Sequence, residues 1–188
     1  MNFKINKVNG EISSAFFNRG ISDFVSAAQM ISSLKYKRNI NKADNLCVLN
    51  DLGGTCSTKH AVLKRLADEN NFYELKLILG IYRMNAQNTP PIKNVLEKYE
   101  LLYIPEAHNY LIYQGQKIDY THAVSKPESF EQDLLTEIEI TPNQITDFKI
   151  NFHKEYLTNW LINQKNHYTL NQLWEIREEC IRNLSDAW

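Results

Sequence analysis

The stretch Gly53-Gly54-Thr55-Cys56-Ser57-Thr58-Lys59-His60 sets a thiol directly behind a loop of small residues and in front of a run with helical spacing. A cysteine on the first turn of a helix meets backbone N–H groups that lack intrahelical acceptors, together with the positive end of the macrodipole. Both favour thiolate over thiol. The same N–H groups can receive an oxyanion, and glycines beside a nucleophile leave room for a substrate backbone. Gly54 and Thr55 are therefore candidate substrate or oxyanion residues, with Asn50 a further amide donor upstream in the loop.

A thiolate working near neutral pH needs a positioned imidazole, and the chain has 5 histidines. The apolar and aromatic runs His108 to Tyr113 and Lys117 to Tyr120 flank a turn that contains Gly115, which predicts a hairpin. With Gln114-Gly115 as a two-residue loop, Tyr113 pairs with Gln116 and His108 falls opposite Thr121. Side chains at 108, 119 and 121 then share one face, and Asp119 is a diagonal neighbour of His108. Cys56 as nucleophile, His108 as base and Asp119 as the carboxylate that orients the imidazole make a Cys-His-Asp triad. A three-residue loop would turn Asp119 to the other face unless a bulge restored it.

Each of these residues also has a plainer reading. Cysteine is among the most buried residue types; Cys47, inside Leu46-Cys47-Val48-Leu49, and Cys180, in line with Leu173 and Leu184, read as core. His108 also fits an ordinary strand residue, Asp119 a solvated carboxylate, and His122 a substitute for either in another register. His60 lies one turn after Cys56 on the same helix face, as a rival base or, with Cys56 and His108, as part of a zinc site. No second Cys or His pair completes such a site, so neither metal nor cofactor is expected. Lys149 and His153 fall in a stripe with Ile145, Phe152, Tyr156 and Trp160 and read as polar tips beyond packed stems. Arg177 interrupts the apolar face of the last helix and suits a pairing with a carboxylate such as Glu106.

The elements that must position the triad follow from caps and periodicity. Ser22 is the expected N-cap of a helix carrying Phe24, Ala28, Ile31 and Leu34, ending in the solvated cations of Lys35-Tyr36-Lys37-Arg38. Thr55 caps a second helix from Cys56 to about Glu69, apolar over a wide arc and so buried. Phe72 to Met84 reads as a strand, and Thr89-Pro90-Pro91 opens a short helix to about Tyr99. The capping boxes Thr141-Pro142-Asn143-Gln144 and Thr169-Leu170-Asn171-Gln172 predict helices over about 142–164 and 169–185.

At 188 residues and 43% hydrophobic, the chain suits one domain, with a core over about 20–125 and a C-terminal helical annex over about 141–186. A formal charge of −1 with scattered basic residues offers no field for nucleic acid or an anionic membrane. The first ten residues lack a signal-peptide core, no stretch approaches the roughly 18 apolar residues of a membrane span, and 3 cysteines without a C-x-x-C pair suit a reducing compartment. The expected location is the cytoplasm.

Cysteine at a helix start, then histidine on one strand, then aspartate on the next is the order of the transglutaminase-like core. The chain resembles that papain-related superfamily over roughly residues 50 to 122. In the family the cysteine follows a small residue, the histidine begins a strand with an aromatic two positions on, and the aspartate precedes a proline and a threonine. Here Cys56 follows Gly53-Gly54-Thr55, His108 precedes Asn109-Tyr110, and Asp119 stands in Asp119-Tyr120-Thr121. Tyr110 replaces a common tryptophan, Tyr120 replaces the proline, and the interval from histidine to aspartate is short, which marks a divergent branch. Gly-Thr-Cys-Ser-Thr-Lys-His is also similar to a signature of small bacterial relatives.

The resemblance implies an α+β fold in which the nucleophile-bearing helix packs on an antiparallel sheet, with the C-terminal helical pair added to it. It also implies cysteine-dependent acyl transfer on a peptide, protein or small amide, by hydrolysis, deamidation or transglutamination. Two other classes compete: a non-catalytic peptide- or protein-binding module on the same fold, and a zinc-binding protein using Cys56, His60 and His108.

Overall fold

The structure, a computed structural model, describes residues 1–125, 128–164 and 167–187. In chain order the first elements are α1 (Glu11–Phe17), α2 (Phe24–Ser33), β1 (Lys35–Tyr36), α3 (Cys47–Asn50), β2 (Gly53–Gly54) and α4 (Cys56–Glu69). Next come β3 (Lys76–Asn85), α5 (Lys93–Lys98), β4 (Tyr103–Tyr113), β5 (Gln116–Ile118), α6 (Glu128–Glu131), β6 (Leu134–Ile140), α7 (Asp147–Gln164) and α8 (Leu170–Ala187). The arrangement is α+β. Four strands form an antiparallel sheet in the order β5-β4-β3-β6, and β1 and β2 form a separate short parallel pair.

α4 begins and ends where its sequence predicts, because its start is chemically specified. The Thr55 N–H donates to Thr58 Oγ1 at 3.1 Å, and that hydroxyl donates in turn to Asn39 Oδ1 at 2.6 Å. From there Leu63, Leu66 and Ala67 pack with Leu77, Leu79, Ile81, Ala107 and Leu111 in the principal core. A second core gathers Met84, Ile92, Leu96 and Ile104 with Leu157, Leu173, Ile176 and Cys180 from α7 and α8. Among the described residues no helix is long and apolar enough to cross a membrane.

The β4–β5 hairpin has the expected register, Tyr113 opposite Gln116, with Gln114 at φ 50° and Gly115 at φ 79°. Positive φ at both central residues matches the twist of the flanking strands. Pairing stops at Leu111 opposite Ile118, so Asp119 lies just past β5 rather than within a strand reaching Tyr120. The reason is local. The Tyr120 N–H donates to His60 Nε2 at 2.7 Å and the Thr121 N–H to Asp119 Oδ1 at 2.8 Å, so these donors are used at the site instead of in a ladder.

Several other expectations are corrected. Asp23, not Ser22, caps α2, accepting from the Ser26 N–H at 3.0 Å. Lys35 and Tyr36 leave the helix to pair with Gly53 and Gly54. β3 starts at Lys76 instead of Phe72, because the end of α4 turns through Asn71 at φ 60° and the Phe72 N–H returns to Ala67 O. The Thr141 capping box heads a 3-10 turn, Pro142–Ile145, before α7 begins at Asp147. α1 has no cap in its own sequence: the Glu69 carboxylate accepts the Ile12 and Ser13 N–H groups at 3.0 and 2.6 Å. β6, whose Thr136-Glu137-Ile138-Glu139-Ile140 alternates as a strand should, also went unpredicted.

Candidate active site

Cys56 occupies the first turn of α4, beside Asn109 of β4, in a stretch where, among the described residues, β5 no longer pairs with β4. His108, on β4 opposite Gly80, directs Nε2 to Asp119 Oδ2 at 3.2 Å. That leaves Nδ1 as the ring nitrogen not engaged by Asp119, and the ring lies close enough to Cys56 for imidazolium and thiolate to stabilise one another. The ring sits among aromatics, 4.8 Å from Phe130 and 6.0 Å from Tyr82 between centroids. A side chain at Gly80 would strike Leu134 and Tyr110 at about 3 Å, so the glycine lets Tyr110 stack beside the imidazole. Asp119 Oδ1 is held by the Thr121 N–H and hydroxyl.

These contacts set the charges. Burial by itself pushes the Cys56 thiol up; the Lys149 ammonium, the His108 imidazolium and the Asn109 backbone N–H outweigh it and bring it down to about 6. Burial likewise opposes charge on His108, but the Asp119 carboxylate and the Cys56 thiolate raise it to about 10. For Asp119 burial works upward, and His108 overrides it, holding the carboxyl well below its usual range. Together these influences favour, around neutral pH, a thiolate–imidazolium pair oriented by a carboxylate.

His60 is fully buried and does something else. Its Nδ1 lies 2.8 Å from Cys56 O and its Nε2 accepts the Tyr120 N–H, which requires the neutral ring with the proton on Nδ1. Burial, against the pull of Asp119, lowers it to about 4. It is a strut between the nucleophile's turn and the segment carrying Asp119. The buried Lys59 adds a second, donating to Leu34 O and Thr121 O at 2.5 and 2.7 Å. With both His60 nitrogens engaged, the proposed zinc set loses a ligand, and among the described residues no group of His, Cys, Asp and Glu is arranged to hold a metal ion.

A residue read from sequence as a packed stem with a polar tip turns out to belong to the site. Lys149 Nζ, from α7, donates to Ser57 Oγ and Asn109 Oδ1 at 2.8 Å each and lies 3.9 Å from Cys56 Sγ. Its only trace in the sequence is a cation interrupting an apolar stripe. Ser57 and Asn109, bonded to each other at 3.0 Å, were missed as well.

Cys56, His108 and Asp119 line one cavity of about 400 Å³. Asn50, Gly54 and Thr55 are not among its described lining residues. Asn50 is exposed and its amide donates to Asp44 at 3.0 Å. Gly54 is required by packing, since a Cβ there would lie 2.6 Å from Thr58 Oγ1 and 3.1 Å from Val48. Tyr36, which its neighbouring cations would put at a solvated helix end, lines the cavity instead, its ring 5.3 Å from that of His122. His153 donates to or accepts from nothing in the triad; its Nε2 reaches Pro105 O at 2.8 Å. Arg177 forms the expected pair with Glu106, through two bonds of 2.6 and 2.8 Å.

Compared with known proteins, the chain has no significant match to a family model, a curated protein or a solved structure.

Proposed function

We propose that the chain is a cysteine-dependent acyl-transfer enzyme with a transglutaminase-like, papain-related core. The observation that carries this reading is that Cys56, at a helix start, lines one cavity together with a His108 imidazole bonded to the Asp119 carboxylate. The Cys56 thiolate attacks the carbonyl carbon of an amide or ester, forming the C–S bond and an oxyanion that the Cys56 backbone N–H, on the first turn of α4, would receive. His108 gives its Nδ1 proton to the leaving nitrogen or oxygen as that bond breaks, which leaves a thioester and a neutral imidazole. Water or an amine then attacks the thioester while His108 takes its proton, and the thiolate leaves. Asp119 keeps Nε2 protonated throughout, so that Nδ1 is the nitrogen facing sulfur.

The pH dependence of Cys56 alkylation tests the reading. In the wild-type protein the rate should be half-maximal near pH 6. In His108→Ala it should move toward the free-thiol value of about 8.5, and in Asp119→Asn part of the way. A non-catalytic binding module has no need of an activated thiol, so ordinary thiol curves in all three proteins would remove the basis for catalysis.

A further inference from the structure

The cavity beside Cys56 is mainly apolar, with Asn88, Thr89, Thr121, His122 and Ser125 among its polar lining residues. Tyr36, Tyr82, Met84, Phe130, Ile181 and Leu184 supply much of its wall. The carboxylates that border it are already committed, Glu106 to Arg177 and Asp119 to His108. Among the described lining residues there is no Lys or Arg, and burial lowers His122 toward the neutral form. A volume of about 400 Å³ lies in the range that holds a small molecule. An anionic substituent would meet no cation there beyond the His108 imidazolium, whose charge Asp119 and the thiolate already balance, whereas an apolar one gains with every methylene covered.

Resting on the acyl-transfer reading, we infer that this cavity takes an uncharged, medium-length alkyl or aromatic substituent of the substrate, and that the enzyme selects esters, thioesters or amides bearing one. The carbonyl lies at Cys56, and the substituent runs along the wall made by Tyr82, Phe130 and the last turns of α8. The cleaved bond and the proton movements are those of the acyl-transfer cycle, and no further reactant is needed.

The test uses p-nitrophenyl esters with acetyl, butanoyl, hexanoyl, octanoyl and succinyl groups, and a second series of acetates with lengthening alcohols. Acylation of Cys56 is followed as a burst and located by mass. Full burial predicts that kcat/KM climbs by about fourfold per added methylene until the cavity is filled. A rise in the first series puts the apolar group on the acyl side, and a rise in the second puts it on the leaving group. In Leu184→Trp, checked for native circular dichroism, the octanoyl-to-acetyl ratio should fall at least about tenfold as the wall is thickened.

Octanamide should bind Cys56→Ala saturably in calorimetry, and acetamide should not. Failure of every ester to acylate Cys56 overturns the acyl-transfer reading itself. Acylation at equal efficiency across both series, a preference for the succinyl ester, or octanamide binding no better than acetamide overturns the cavity assignment and leaves that reading standing.

Discussion

At the scale of single residues, the sulfur's charge depends on a lysine from a distant helix as well as on the imidazole. Lys149 holds a hydroxyl, an amide oxygen and the thiolate together, so its ammonium is fixed close to Cys56 without lining the cavity. Lys149→Met keeps the length of the stem and removes the charge. The thiol should then titrate higher, and alkylation should slow by about tenfold at pH 7 while differing little at pH 9, where either protein is mostly thiolate. Equal slowing at both pH values would mean a displaced sulfur rather than a lost charge. His60 acts differently: it holds the backbone at Cys56 and at Tyr120 and is not among the described residues that line the cavity.

At the scale of elements, the site is made where four pieces of chain end or run past one another: the start of α4, the stretch of β4 past its pairing with β5, the segment after β5, and α7. α8 is tied to β4 by Arg177 and Glu106, whose carboxyl burial would raise but the guanidinium lowers to about 2. Without the Glu106 carboxylate the largely buried Arg177 keeps, among the described residues, only the less buried Glu178, bonded at 2.6 Å, as counterion. Glu106→Gln should therefore cost about 3 kcal/mol in denaturant unfolding, with a smaller effect on the pH at which Cys56 reacts, because Glu106 does not bond to the triad. A variant as stable as wild type would show that the pair is not what docks α8.

At the scale of the molecule, the buried titrating groups give stability a defined dependence on pH. His60 titrates at about 4 in the folded protein against 6.5 ordinarily, so the stability it represents is present above 6.5 and lost as pH falls toward 4. Glu106, at about 2 against 4.5, holds its contribution above 4.5 and loses it as pH falls toward 2. His108 runs the other way: raised to about 10, it contributes fully below 6.5 and loses that contribution as pH rises through 10. Cys56, lowered to about 6 against 9 ordinarily, contributes above 9 and loses that contribution as pH falls through 6, so it offsets His108 between 6.5 and 9. The thermal midpoint should therefore stay near its maximum from about pH 6.5 to 9 and fall on the acid side in two overlapping stages. Calorimetry of wild type and His60→Gln should show the first stage flattened in the variant. A wild-type midpoint that stays level from pH 6.5 to 4.5 would contradict a neutral, buried His60.

The features legible in the amino-acid order are those set by near neighbours. Thr55 and Thr58 specify where α4 starts, and with it the thiol on the first turn. Gln114-Gly115 specifies the hairpin register, which brings Asp119 within reach of His108. Capping and two-residue turns have short-range geometry, so their residues declare them. The tertiary structure alone decided that Lys149, 93 positions from Cys56, faces its sulfur, that Glu69 caps α1, that β6 closes the free side of β3, and that Tyr36 turns into the cavity. Each of these depends on how separate elements pack. A polar residue in an apolar stripe shows that something must receive it, but which group does so is settled only when the helices and the sheet meet.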